Sequence, residues 1–510
     1  MTEHARTITE LLQAGADEAT AVSSPGGTPL AYRGLRKLAQ RTVAVLNAHG
    51  IGCNDRVAIV LDNGPEMATA FVCAGAGTTA APLNPAYRAE EFEFYLSDLG
   101  AKVLVIERDK ASPAAEVASK LNVPIVRLVP TPSQGAGSFT LEFPDSLAAA
   151  AAARPGPAQP DDIALVLHTS GTTSRPKIVP LAQRNVCASA RNIRETLALG
   201  PADRGLGIMP LFHIHGLIAG TLAPLSAGGE MCYTMGFNAL KFFGWMEQVH
   251  PTWYTGVPTM HQAILSRASK SAEVIKANPL RFIRSSSASL PPQVLQELEA
   301  VFGAPVIESY GMTEAAHQMT SNPLPPGKRK PGSVGVAAGP EVQVIDAHGK
   351  PVPPGATGEV AIRGENVTAG YENNPKANAE AFTHGWFRTG DQGVMDAEGY
   401  LTITGRLKEI INRGGEKVSP REVDEVLMDH PAVQQCVCFA VPHDKLGEDV
   451  AAAVVLRDGA QATERELREF VAARLADFKV PRKVLVLPEI PKGATGKIQR
   501  IGLAQKLGLG

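Results

Sequence analysis

Short apolar, β-rich runs alternate with amphipathic helical patterns along this chain, and no other feature constrains its fold as tightly. RVAIVL (56 to 61), AKVLVIE (101 to 107) and DIALVLHTS (162 to 170) are apolar over most of their length, while AYRGLRKLAQRTVAVLNAHG (31 to 50) repeats its apolar positions at helical spacing. A strand without a polar face is covered on both sides, so the pattern predicts parallel sheets clothed by helices, an α/β fold. The Ala- and Pro-rich tract at 147 to 162 reads as a loop leading into the third of these strands. From about 330 to 404, Gly and Pro punctuate short strands such as PEVQVID, TGEVAIRG and GYLTITG, which predicts a small, mostly antiparallel β unit. After Gly405 strands and helices return, with PREVDEVLMDHP opened by Pro420 and TERELREFVAARLADF as a second helix. A boundary between Thr404 and Lys408 divides the chain into an N-terminal domain (1–404) and an α+β C-terminal domain (405–510).

Composition narrows the function classes. At 510 residues, two to four structural units are expected at about 100 to 200 residues each. Lys plus Arg total 49 against 51 for Asp plus Glu, so no excess of positive charge is available to track a phosphate backbone, and nucleic acid is not expected as a partner. Six cysteines with only Cys436 and Cys438 close together suit neither a disulfide framework nor a zinc site; their alternation in VQQCVCFAV places both on a strand. No signal-peptide-like stretch opens the chain, no apolar run reaches the roughly 18 to 20 residues of a membrane span, and KLGLG is not an organelle address. The expectation is a soluble, cytoplasmic protein with no membrane partner.

Five islands carry the chemistry. Thr169, Ser170, Gly171, Thr172, Thr173, Ser174, Arg175, Pro176 and Lys177 follow a strand and offer hydroxyls and amides to anionic oxygens, with a basic residue at the end. The spacing is not that of a Walker loop, and alone it equally describes a polar surface turn. In ESYGMTE, Glu308, Ser309, Tyr310 and Gly311 precede Thr313 and Glu314, a hydroxyl beside a carboxylate that suits a phosphate and its Mg²⁺; a helix start is the alternative. GWFRTGDQG offers Asp391 to ribose hydroxyls, and GRLKEIINRGGEKVSP carries Arg406, Lys408, Gly414, Gly415 and Lys417; a hairpin turn and a solvated strand edge are the structural alternatives. In PKGATGKIQR, Lys497 sits among small residues, where a lone lysine is ordinarily just solvated.

The order and co-occurrence of these islands, at 169 to 177, 310 to 314, 387 to 391, 405 to 417 and 491 to 500, resemble the acyl-adenylate-forming superfamily of acyl-CoA synthetases, luciferases and peptide-synthetase adenylation domains. The likeness runs from about residue 30 to 503. It implies a large N-terminal domain and a mobile C-terminal domain, with ATP, Mg²⁺ and coenzyme A as co-substrates. It also implies that Thr169 to Lys177 hold the ATP phosphates, Thr313 touches the α-phosphate, Glu314 binds Mg²⁺, and Asp391 and Arg406 hold the ribose. Tyr310 would flank the adenine, as would the Ser287, Ala288 and Ser289 turn, and Lys497 would reach the α-phosphate and the attacking carboxylate. Lys408 matches the hinge, and Gly414 and Gly415 the passage of the pantetheine arm.

Within that superfamily the wording HTSGTTSRPK, PLFHIHGL, TWYTGVPT, LRFIRSSSASL, MTEAAHQMTSNPLP, KPGSVG and INRGGEKVSP resembles the oxalate–CoA ligases of plants and fungi. His213, Ser287, Ser289 and His317 fall in segments that line the acyl pocket of relatives, and they offer hydrogen bonds where a fatty-acid pocket is apolar. His317 discriminates most; His213 and His215 read as packing and pocket gating rather than a metal pair, since no third ligand is evident. One departure stands out. Where the family has Lys-Gly after the phosphate loop, this chain has Lys177 and Ile178, which excludes the positive φ that Gly permits. The implied function is ATP-dependent ligation of CoA to oxalate or a similar small polar acid by a monomer or homodimer. A medium-chain fatty or aryl acid ligase, a carrier-loading adenylation domain, and a non-catalytic nucleotide- or acyl-binding homologue are the competing readings.

Overall fold

The computed structural model describes residues 4–169, 176–492 and 498–510. Ser170, Gly171, Thr172, Thr173 and Lys497 lie outside the described residues. Two compact units divide the chain: one takes residues up to 169, 177 to 342 and 362 to 381, the other 343 to 361 and 382 onward.

Two large sheets build the first unit. In one, seven strands run in the order Phe139–Glu142, Ile125–Pro130, Val103–Glu107, Arg56–Val60, Thr79–Pro82, Ile163–His168, Ile178–Ala182, parallel except at both edges. In the other, nine strands centre on the parallel set Val306–Met312, Phe282–Ser285, Trp253–Gly256, Arg204–Gly207, Glu230–Tyr233 and Thr20–Ser23. The apolar runs at 56, 101 and 162 are thus interior or near-interior strands. Helix Tyr32–Ala48 buries Tyr32, Leu35, Leu38, Ala39, Thr42, Val43 and Leu46, the stripe that helical spacing demands. Proline opens helices Pro65–Gly75, Pro113–Lys120, Pro258–Ala268, Pro292–Phe302 and Pro420–Met428, where its missing N–H costs nothing. Helices Phe242–Val249, Pro258–Ala268 and Pro292–Phe302 close the core over the nine-stranded sheet, with Met246, Ile264 and Leu298 in one cluster with Ile283 of the sheet. Each such buried side chain contributes about 1.5 to 3 kcal/mol.

The second unit holds two five-stranded sheets. Strands between Glu341 and Arg406 form a mostly antiparallel one, the β unit expected from Gly and Pro punctuation. The other runs Glu416–Val418, Ile411–Arg413, Gly447–Leu456, Val433–His443, with Lys483–Val486 on the free side of Gly447–Leu456. On Val433–His443, Cys438 packs with Val423 and Leu427 while Val437, Phe439 and Val441 pack with Ile490 and Leu503, so both faces are covered. Helix Glu464–Ala472 is opened by a capping box between Thr463 and Glu466. No helix among the described residues is long and apolar enough to cross a membrane.

Candidate active site

Strands Trp253–Gly256, Phe282–Ser285 and Val306–Met312 end side by side at their carboxyl termini, the edge at which α/β sheets present binding groups. Register pairs Thr255 with Arg284. Arg284 is fully buried, and its Nη1 lies 3.2 Å from His215 Nε2 and 3.1 Å from His317 Nε2, with Nη2 donating to Gln318 Oε1 at 3.3 Å. Its Nε has no hydrogen-bond partner among the described residues. Burial pushes this guanidinium down to about 9, and no carboxylate acts against that fall. The two imidazoles stack with centroids 4.7 Å apart. His215 Nδ1 is 3.0 Å from Ser287 Oγ, and its Nε2 also meets Thr255 Oγ1 at 2.6 Å.

Local backbone geometry brings these groups together. His215 opens a π-helical stretch, His215–Leu222, a rare form that recurs at functional sites. After Met312 the chain makes the 3₁₀ turn Thr313–Ala315, takes positive φ at Ala316 (46°) and His317 (101°), and returns antiparallel so that His317 pairs with Met312. Gly311 permits that close return, since a Cβ there would lie 1.8 Å from the His317 carbonyl oxygen. Ser287, also at positive φ (72°), turns out of strand Phe282–Ser285. Around the same strand ends, Ser286 Oγ donates to the Ser309 carbonyl, Ser309 Oγ to that of Ser285, and Leu290 N to Glu308 Oε1.

Thr169 N donates to the Lys177 carbonyl at 2.9 Å and Lys177 N to Thr169 Oγ1 at 3.1 Å, which ties these two residues together. Ile178 begins the next strand, paired with His168 and buried, so its backbone is ordinary β structure and the departure from Lys-Gly leaves the strand pairing intact. Glu314 is 7% exposed and accepts from the Tyr371 hydroxyl at 2.8 Å, and the Tyr371 ring lies 4.4 Å from Lys177 Nζ. Thr368 N donates to the Glu314 carbonyl, fixing the turn from the same segment. Tyr371 therefore bridges Lys177 and the acidic turn. A single carboxylate suits Mg²⁺ arriving with a nucleotide, because that ion takes one or two carboxylates plus phosphate oxygens and water; no three-ligand cluster exists among the described residues.

In the second unit, Asp391 and Arg406 face each other across an antiparallel pair, with Arg406 Nε 3.0 Å from Asp391 Oδ1. Asp391 is buried and Arg406 exposed, a carboxylate held in place by a cation that still reaches solvent. Lys408 is exposed on the turn after that strand. Gly414 (φ 61°) and Gly415 (φ 100°) form the hairpin tip between Ile411–Arg413 and Glu416–Val418, at angles that favour glycine.

Of the residues expected from sequence, His317 and Ser287 enter the Arg284 cluster. Ala288 and Ser289 are exposed, Tyr310 and Thr313 are half-buried, and His213 is half-buried against the Phe212 ring. Arg284, His215 as a polar partner, Gln318 and Tyr371 were missed. A charge inside the apolar run of LRFIRSSSASL was the available signal for Arg284; Tyr371 had none.

The model of the AMP-binding enzyme family matches residues 12–372, and that of the AMP-binding enzyme C-terminal domain matches 422–497. The chain belongs to the AMP-binding enzymes. This AMP-binding enzyme is 47% identical to an oxalate–CoA ligase of Arabidopsis thaliana over 95% of both chains. It is 44% identical to an oxalate–CoA ligase of Saccharomyces cerevisiae over 88% of this chain and 86% of that one. It superposes on the ATP-bound crystal structure of MatB from Rhodopseudomonas palustris with a TM-score of 0.88 at 31% identity, covering 98% of each chain.

Proposed function

We propose that oxalate is the acid that this AMP-forming acid–CoA ligase activates. A carboxylate is a poor acyl donor because its leaving group would be oxide. In the first half-reaction an oxalate oxygen attacks the α-phosphorus of ATP, the bond to the β-phosphate oxygen breaks, and pyrophosphate leaves. In the second, the CoA thiolate attacks the activated acyl carbon and AMP departs with the oxygen that joined it to phosphorus.

One observation supports the acid assignment above all: His317, stacked on His215, stands three residues after Glu314, at the start of the strand that follows the Glu314 turn. The ring that meets the acid and the carboxylate that meets the nucleotide's metal are hung from one short segment, as a two-carbon substrate requires. An octanoyl chain or a cinnamoyl ring would have to lie against a layer of imidazole and hydroxyl groups where an apolar wall would suit it. The 47% and 44% identities to oxalate–CoA ligases support the same reading.

In this proposal Thr169 to Lys177 cradle the phosphates, with Ser170, Gly171, Thr172 and Thr173 supplying donors, and Thr313 contacts the α-phosphate. Glu314 holds Mg²⁺, which offsets charge on the phosphate oxygens. Tyr310 and the Ser287–Ser289 turn flank the base, and Asp391 and Arg406 hold the ribose. Lys497 meets the charge developing between acid and phosphorus. A boundary at 404/405 lets residues 405–510 turn about Lys408 after adenylation, so that Gly414 and Gly415 admit the pantetheine arm. Small-molecule substrates would be the only partners of a cytoplasmic monomer or homodimer.

The test is AMP and acyl-CoA formation with oxalate, malonate, acetate, octanoate and a cinnamate, alongside acid-dependent ATP–pyrophosphate exchange. Oxalate should exceed the others in kcat/KM. A preference for octanoate or cinnamate would overturn the acid assignment, and no exchange with any acid would leave a non-catalytic binding protein.

A further inference from the structure

Arg284 is a buried cation with no anion. It is fully buried, and among the described residues its hydrogen bonds are to neutral groups and its Nε makes none. Buried charges are ordinarily paired, because an uncompensated one costs several kcal/mol. Such an arrangement persists where something outside the chain supplies the counter-charge.

The contacts also decide the state of both histidines. A guanidinium has five N–H donors and no acceptor, so a ring nitrogen facing it must offer a lone pair. Nε2 of His215 and Nε2 of His317 both face Nη1, which places the ring proton of each neutral imidazole on Nδ1. The Thr255 hydroxyl joins as a second donor to His215 Nε2, and His215 Nδ1–H is directed at Ser287 Oγ. Ser287 is the half-buried member of this set, and the hydroxyl it presents takes its orientation from the imidazole behind it.

We propose that Arg284 is a positioning residue that tunes the pocket to an acid bearing a second negative charge, locking His215 and His317 as Nδ1–H donors and setting behind them a positive charge that only the ligand answers. The second carboxylate of the substrate meets donors from the imidazole and hydroxyl layer and feels the guanidinium through them. A monoanionic acid of the same size leaves the buried cation unanswered.

The inference rests on the acid-ligase reading above. Oxamate separates the two, because it matches oxalate in shape, keeps one carboxylate to adenylate, and replaces the other by a neutral amide. The wild-type enzyme should prefer oxalate over oxamate by at least about 30-fold in kcat/KM, mainly through KM, as expected when a buried charge loses its partner. Arg284→Met should bring that ratio to within about threefold of unity, and Arg284→Lys, which keeps the charge but not the planar fork, should restore part of it. A wild-type ratio near one would overturn the inference and leave the ligase standing, as would equal losses for both acids in Arg284→Met. If Arg284→Met fails to fold, the wild-type ratio and Arg284→Lys decide. Absence of exchange with every acid would sink the ligase reading and this inference with it.

Discussion

Tyr371→Phe removes one hydroxyl and keeps the ring, so it isolates the bond from Tyr371 to Glu314. That bond is 2.8 Å long, ends on a carboxylate that is 7% exposed, and comes from a segment whose Thr368 N–H also fixes the Glu314 carbonyl. A hydrogen bond to a charged acceptor is worth about 1.5 to 3 kcal/mol, or roughly 10- to 150-fold in any equilibrium that depends on it. The Lys177 ammonium, 4.4 Å from the ring centroid, retains its aromatic partner in the variant. If the hydroxyl orients Glu314 for Mg²⁺, the Mg²⁺ concentration at half-maximal ATP–pyrophosphate exchange should rise by about tenfold or more at saturating acid. CoA capture of a supplied acyl-adenylate should change less than about twofold, since that step uses no triphosphate. An unchanged Mg²⁺ titration, or equal losses in both half-reactions, would refute the role given to Tyr371 and weaken that given to Glu314.

Arg500 binds Asp424 Oδ2 at 2.6 Å, Glu409 at 3.2 Å and the Cys438 carbonyl at 2.8 Å inside the second unit. Arg500→Ala should lower the stability of that unit by about 2 to 3 kcal/mol, seen as a drop in its urea midpoint, because Asp424 is left half-buried without a cation and keeps only the Cys438 N–H as donor among the described residues. Little change would show that Asp424 simply protonates, as its burial-driven upward shift allows. His261 is pushed down from 6.5 to about 3 by burial, so the unfolded chain takes up the proton first. Its contribution is therefore complete above about pH 6.5 and is lost as pH falls toward 3, up to about 5 kcal/mol; His261→Asn should remove about one proton from the slope of stability against pH in that window. Gly311→Ala places a Cβ 1.8 Å from the His317 carbonyl oxygen, so it should abolish adenylation and lower stability by about 3 kcal/mol, and normal activity in that variant would show that the return at His317 is not needed.

Strand runs such as 103 to 107 and 163 to 168 were legible because a strand covered on both faces has no reason to alternate, and first-turn prolines marked helix starts such as Pro420. Strand order was not legible. Thr20–Ser23 pairs with Glu230–Tyr233 from some 200 positions away, and nothing local encodes such a partner. The same limit applies at the site. His317 could be named from its surroundings, but Arg284 at a strand end reads as solvated until His215 and His317, 69 and 33 positions distant, close over it. His215 was read as packing because its polar partners Thr255 and Ser287 lie 40 and 72 residues on. The two serines show a different limit: Ser287 and Ser289 are equivalent in text, and it is Ser287, at positive φ, whose hydroxyl meets the imidazole.

Backbone strain gathers at the same cluster. Ser287, Ala316 and His317 all hold positive φ, at about 1 to 3 kcal/mol each for residues other than glycine. Glycine at these positions would remove that cost but would give the unfolded chain more freedom to lose and would delete the two side chains that make the cluster. The strain is offset by bonds that over-determine the geometry: strand pairing from Met312 to His317, the Arg284 donors, and the His215 to Ser287 contact. A cluster fixed in this way need not reorganise when a ligand arrives, so its selectivity is written into a rigid set of donors and a charge. That division suits an enzyme with two half-reactions. The acid must be recognised once, before adenylation, by groups that stay still, whereas the nucleotide and CoA steps call for different partners in turn. On this view Arg284 and the imidazoles set which acid enters, Glu314 and Tyr371 set whether phosphoryl chemistry follows, and changes at Lys408 should alter the second half-reaction without altering the choice of acid.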